Sequence, residues 1–127
     1  SAPKILGKHL LCYPKERYML SEMIKSNVLW ERRIAVLATW PMIKLGEFDD
    51  FMGIAEALLT DPHDLIHKAV GWMLREVGKV NAGTLENFLL SFADAMPRTM
   101  LRYAIERLDP DQRQIFMNRG RYLEQNG

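Results

Sequence analysis

The chain has 127 residues and a formal net charge of +1, which is the size of one domain and excludes a strongly basic nucleic-acid-binding protein. Apolar residues make up 48%, so the chain can bury a core without disulfides or metal ions. The single cysteine, Cys12, cannot form an internal disulfide, which favours a reducing, cytoplasmic setting. No apolar run approaches the ~20 residues of a membrane span, so we expect no membrane partner.

The spacing of apolar residues predicts helices along the whole chain and no strand. Helices are expected over about 4–11, 15–25, 28–45, 47–60, 62–79, 82–94, 97–107 and 110–124. Asp61-Pro62 and Asp109-Pro110 each place an N-cap residue before a proline at the first helical position. The connections are short, which favours antiparallel neighbours.

Three of these helices share a pattern that recurs at offsets of 35 and 34 residues. The aligned segments are 30–35, 65–70 and 99–104. Each carries a basic residue at the same place, namely Arg33, Lys68 and Arg102. Helix pairs that recur in this way stack on one another. We therefore predict one all-α domain over 1–127, a HEAT-like solenoid of about three antiparallel helix pairs plus a terminal helix, with a non-repeating helical bundle as the alternative.

Stacked repeats place equivalent positions side by side on one concave surface. Arg33, Lys68 and Arg102 would then form a basic row across that surface, and Trp72 and Arg75 would follow Lys68 on the same stripe of the middle helix. Cations spaced in this way can neutralise DNA phosphates. The alternatives are solvated cations, ordinary core packing of Trp72, and a groove that binds a peptide or a protein.

Other kinds of site receive little support from the sequence. The three histidines, His9, His63 and His67, are scattered, and no His, Cys and Asp set has metal-site spacing. No glycine-rich phosphate loop is present, so neither a metal nor a cofactor is predicted. We interpret Trp30 and Trp40 as packing residues, the latter because Pro41 places it near a helix kink or end.

Three segments resemble the recurring motifs of the DNA alkylation repair family, the AlkD-like DNA glycosylases. The most specific runs over 65–79 around Gly71-Trp72, while 30–36 and 96–106 resemble a second motif and a C-terminal motif. The resemblance covers most of the chain. It implies a HEAT-like solenoid that binds alkylated double-stranded DNA on its concave face and excises cationic N3- and N7-alkylated purines.

The resemblance also implies roles for particular residues. In the family an arginine clamps the phosphate near the lesion and electron-rich indoles hold the cationic nucleotide. The arginine falls on Arg33 and an indole on Trp72. Lys68, Arg75 and Arg102 are weaker candidates for phosphate contacts.

The family's catalytic aspartate and a further tryptophan belong to a segment that would precede Ser1, so no catalytic residue is predicted in this chain. Glu76 lies off the basic stripe and is not expected to replace that aspartate. We expect a C-terminal portion of a longer DNA repair protein, inactive by itself. The alternative is a non-catalytic scaffold that binds DNA structures or a protein. An apolar repeat face exposed near the N-terminus is expected to self-associate.

Overall fold

The computed structural model describes residues 1–126, with side chains as far as Gly120, and these residues are helical with no strand. The helices are α1 (Ala2–Cys12), α2 (Tyr18–Met23), α3 (Leu29–Leu37), α4 (Trp40–Lys44), α5 (Asp49–Ala57), α6 (Asp64–Val80), α7 (Ala82–Phe92), α8 (Arg98–Ile105) and α9 (Pro110–Asn126). Short 3-10 turns cover Pro14–Glu16, Leu58–Thr60 and Ala93–Ala95. The predicted all-α class is confirmed. No helix among these residues is long and apolar enough to cross a membrane.

Side-chain caps account for several helix starts. Asp109 begins α9 as predicted, because its Oδ1 accepts hydrogen bonds from the backbone N–H groups of Asp111 and Gln112. The prediction that Asp61 caps the following helix directly was wrong. Its Oδ1 accepts the N–H of His63 at 2.9 Å, and His63 in turn caps α6, which begins at Asp64 instead of Pro62.

The single helix predicted over 28–45 was wrong, because the structure has two helices there, α3 and α4. Pro41 has no N–H with which to continue the hydrogen-bond ladder from the preceding turn. Thr39 lies at the break, and its Oγ1 donates to the carbonyl of Val36 at 2.6 Å. The break gives α4 a direction of its own, and α4 packs against α6.

Helix α6 is the centre of the fold and contacts α3, α4, α7 and α8. Its buried hydrophobic face consists of Ile66, Ala69, Val70, Met73, Leu74 and Val77. Because α6 touches both α3 and α8, the three aligned sequence segments lie on neighbouring helices, which is consistent with a helical-repeat fold. Gly71 permits the close approach of α8, since a Cβ there would lie 2.6 Å from the carbonyl oxygen of Met100.

A largely buried ion pair joins α3 to the segment before α6. The Nε atom of Arg32 donates to Oδ2 of Asp61 at 2.8 Å, and the two side chains are only 13% and 6% exposed. Arg32 also donates to the carbonyl of Ser26, and the imidazole of His67 contacts the backbone oxygen of Asp61. These contacts fix the start of α6 against α3, and therefore fix α6 relative to Arg33, the next residue along α3.

Candidate nucleic-acid interface

Four of the five predicted site residues surround one shallow depression of about 180 Å³, which we call the basic depression. Arg33 comes from α3, while Lys68, Trp72 and Arg75 come from α6. The spacing of the α6 residues, i, i+4 and i+7, keeps them on one face of the helix. The remaining lining residues are Leu65, Ala69 and Tyr103.

Arg102 does not line the basic depression. Helix α8 presents the neighbouring residue, Tyr103, to it, and adjacent helical positions differ by about 100° around the axis. Burial of Met100 and Ala104 fixes this rotation of α8. The three-membered basic row expected from the repeat is therefore not formed at its third position, and Arg102 is an exposed cation on α8.

The indole of Trp72 is held by a carboxylate from its own helix. Its Nε1 donates to Oε1 of Glu76 at 3.1 Å, and Glu76 is only 8% exposed. Oε2 of Glu76 also pairs with Nζ of Lys79 at 3.0 Å, which balances the buried charge. In the sequence, Glu76 stands out only as an acid. The i, i+4 spacing from Trp72 was the signal that could have revealed this hydrogen bond.

The cations of the basic depression differ in how far carboxylates neutralise them. Arg75 pairs with Glu106, the residue that follows α8. Lys68 pairs with Asp64 at 3.2 Å, and the hydrogen bond from Lys68 lowers the pKa of the Asp64 carboxyl below its usual range. Arg33 forms no ion pair within the described side chains, so it is the cation of this set most available to an anion.

Trp30 was expected to be a packing residue, yet it is 59% exposed. Its ring lies beneath the guanidinium of Arg33, with 5.5 Å between Cζ and the ring centroid. Such a cation–π contact restricts the arginine without neutralising its charge. Trp30 therefore supports Arg33 at the edge of the basic depression.

A larger apolar groove of about 690 Å³ adjoins the basic depression, because Trp72 lines both. We call it the tryptophan groove. Its lining residues are Ser1, Pro3, Lys4, Lys8, Leu11, Leu37, Trp40, Pro41, Lys44, Leu45 and Trp72. The rings of Trp40 and Trp72 are tilted by 54° with centroids 5.6 Å apart. Trp40 is 36% exposed, so it packs against Trp72 and also faces solvent.

Metal chemistry receives no support from the arrangement of ligands. Within the described residues, no group of three or more His, Cys, Asp or Glu side chains is placed to hold a metal ion. The single cysteine, Cys12, is exposed. What the site offers instead is cations and indole rings, which suit phosphates and electron-poor or cationic rings.

A family model described as DNA alkylation repair enzyme matches residues 1–108. The match includes α1 to α8, and with them both the basic depression and the tryptophan groove. Neither the curated proteins nor the solved structures gave a match to the chain. Because the matched residues make up most of the chain, this protein belongs to the DNA alkylation repair enzyme family.

Proposed function

We propose that the chain is the DNA-binding half of an alkylpurine DNA glycosylase that excises cationic N3- and N7-alkylated purines from duplex DNA. The observation that carries the proposal is the meeting of Arg33 and Trp72 at one depression. Arg33 offers a guanidinium that pairs with no carboxylate among the described side chains, and Trp72 offers an indole held by Glu76. Family membership supports a role in repair of alkylated DNA.

The chemistry of the lesion suits these two groups. An alkylated purine carries a positive charge, and an indole face attracts cations. Arg33 would bind a phosphate beside the damaged nucleotide through charge-assisted hydrogen bonds. Lys68 and Arg75 would add weaker phosphate contacts, because Asp64 and Glu106 already compensate part of their charge.

Cleavage of the glycosidic bond also needs a carboxylate near the sugar, where positive charge develops. The residues lining the basic depression include no acid. Glu76 is buried and engaged with Trp72 and Lys79, so it is not free to face a sugar. We therefore propose that this chain binds alkylated DNA but does not release bases by itself.

Fluorescence anisotropy with methylated duplex DNA tests the proposal. We expect Arg33→Ala to weaken binding about tenfold or more, the value of a lost charge-assisted hydrogen bond. Trp72→Ala should weaken binding of methylated duplex more than that of unmethylated duplex. The matched control is Lys25→Ala, which removes an exposed cation from a separate depression and should change nothing. Unchanged affinity of the Arg33→Ala, Trp72→Ala double variant would count decisively against the proposal.

A non-catalytic scaffold is the second candidate function, and the absence of acid from the lining of the basic depression favours it. Such a scaffold would bind DNA structures or a protein partner. The discriminating assay is release of methylated bases by the protein encoded by the complete gene. Release supports the glycosylase, while DNA binding without release supports the scaffold.

A further inference from the structure

Trp30 is the tryptophan of this chain whose position burial does not explain. Its side chain is 59% exposed, and it is not among the partly buried hydrophobic residues that pack against the core. Trp72, by contrast, packs against that core. The contact that uses the Trp30 ring is with Arg33, whose Cζ lies 5.5 Å from the ring centroid. A function for this indole must therefore be sought in what it does for Arg33.

The contact between Trp30 and Arg33 is local to one helix. Both residues belong to α3 and are three positions apart, a spacing that makes side chains neighbours on the helix surface. The rotation of α3 is fixed by the residue between them, Arg32, because its guanidinium is held by Asp61 in the segment before α6. The indole and the guanidinium therefore meet at the edge of the basic depression as a consequence of how α3 is anchored.

An indole and a carboxylate orient an arginine with different consequences for anion binding. Arg75 shows the second case, because Glu106 compensates its charge and occupies one of its N–H donors. An aromatic ring attracts the guanidinium through its π face, and this leaves both the positive charge and the N–H donors available. Arg33 forms no ion pair within the described side chains, so the Trp30 ring restricts it without compensating its charge.

We propose that Trp30 is a positioning residue for phosphate binding, because its ring holds the guanidinium of Arg33 ready to donate to a phosphate of DNA. The inference rests on the proposed function, which assigns a phosphate contact to Arg33. A long side chain loses conformational freedom when it binds a ligand, and one that is already restricted loses less. Trp30 would thus raise the affinity for DNA through Arg33 and without touching the DNA itself.

A double-mutant cycle on methylated duplex DNA, measured by fluorescence anisotropy, tests the proposal. Trp30→Ala should weaken binding about two- to tenfold, the range expected for ordering one arginine side chain. In the background of Arg33→Ala, the same substitution should have no further effect, since there is no guanidinium left to position. Trp30→Phe keeps an aromatic ring and should retain most of the affinity. Trp30→Leu keeps an apolar side chain without a π face and should lose as much as Trp30→Ala.

Two further measurements separate positioning from a loss of charge or of fold. Arg33→Ala should lower the slope of log affinity against log salt by about one, whereas Trp30→Ala should leave the slope unchanged because the arginine still meets the phosphate. In the free protein, the NMR signal of the Arg33 Nε–H group should shift on Trp30→Ala, since the ring current of the indole is lost. The matched control is Tyr18→Ala, which removes a 61% exposed aromatic side chain from a separate depression and should change none of these values.

The outcomes distinguish this inference from the proposed function. If the losses for Trp30→Ala and Arg33→Ala add in the double variant, the indole contacts DNA directly and the positioning role is wrong. Affinity retained by Trp30→Ala or by Trp30→Leu also overturns it, while a loss on Arg33→Ala leaves the proposed function standing. If circular dichroism shows that Trp30→Ala is unfolded, the indole is a packing residue and the inference fails. Full affinity of both Arg33→Ala and Trp30→Ala overturns the inference together with the phosphate contact of Arg33.

Discussion

At the scale of single residues, Glu76 shows how a buried carboxylate can serve a site without touching a ligand. It accepts the indole N–H of Trp72 at 3.1 Å and is neutralised by Lys79. We predict that Glu76→Leu weakens DNA binding by about 1–3 kcal/mol, because the indole loses its acceptor and its fixed orientation. Tryptophan fluorescence of the free protein should change together with the affinity.

The control for this prediction is Glu76→Gln. Its amide oxygen can still accept from Trp72, although the charge that balances Lys79 is lost. Binding close to that of the unsubstituted protein is expected. If Glu76→Gln and Glu76→Leu lower affinity equally, the charge matters and the indole hydrogen bond does not.

The ion pair of Arg32 and Asp61 supports a second prediction, this one on stability. Asp61→Ala would leave the guanidinium of Arg32 largely buried without its carboxylate, because these side chains are 13% and 6% exposed. We expect the free energy of unfolding to fall by about 3–5 kcal/mol. Chemical denaturation measures it.

A more exposed ion pair provides the comparison. Arg119 and Asp94 have side chains that are 32% and 42% exposed and meet at 2.9 Å. Asp94→Ala should lower the free energy of unfolding by only about 0–1 kcal/mol, since water solvates the freed arginine. A loss as small for Asp61→Ala would mean that the pair with Arg32 contributes little to the fold.

How far residues could be placed from the sequence depended on helix periodicity. The i, i+4, i+7 stripe brought Lys68, Trp72 and Arg75 to one face, and the offset of 35 residues placed Arg33 beside them. The same periodicity did not place Arg102 correctly, because the rotation of a helix about its axis depends on which of its residues are buried. In α8 the neighbouring residue, Tyr103, lines the basic depression instead of Arg102.

At the scale of elements, the contact between α6 and α8 depends on Gly71. A Cβ at this position would lie 2.6 Å from both the Met100 carbonyl oxygen and the Cβ of Tyr103. The first is a backbone atom and the second is bonded to the backbone, so neither can move away by rotation of a side chain. We predict that Gly71→Ala lowers the free energy of unfolding by about 1–3 kcal/mol, the usual cost of overpacking.

Gly53 in α5 provides the matched control, since nothing lies within 4 Å of the Cβ it would gain. Gly53→Ala should stabilise the protein by about 0.5–1 kcal/mol, because alanine is the better helix former. The two substitutions add the same atom to helices and should have opposite signs in one denaturation experiment. Equal signs would contradict the packing argument at Gly71.

Most helices could be predicted from the sequence. The one wrong prediction, a single helix over 28–45, affects the candidate site. Hydrophobic spacing and proline positions located most helices, but the break between α3 and α4 was only suggested by Pro41. That break lets α4 pack against α6, which brings Trp40 to Trp72. A continuous helix over 28–45 gave no reason to place these two rings together, so the tryptophan groove could not be predicted.

At the scale of the whole molecule, a net charge of +1 means that the proposed DNA binding must come from local cations. Among the described side chains no carboxylate pairs with Arg33, while Lys68 and Arg75 are partly compensated. We predict that the affinity for paired duplex falls with salt at a logarithmic slope of about −1 to −3, as expected for one to three phosphate contacts. Anisotropy titrations across a range of salt concentrations measure the slope. A slope near zero would favour a protein partner.

Self-association through an apolar face near the N-terminus stays a prediction from the sequence. The charges in the structure indicate how such association should depend on salt. Lys4, Lys8 and Lys44 surround the apolar floor of the tryptophan groove, so two copies meeting there would bring like charges together. Salt screens that repulsion and strengthens apolar contacts. We predict that any dimer forms more readily at high salt, opposite to the proposed DNA binding. Sedimentation velocity at low and high salt tests this, with Lys8→Glu as the variant that should favour the dimer by placing an acid among the lysines. A single monomer peak at high protein and salt concentration would rule the dimer out, and association that weakens with salt would place its contacts elsewhere.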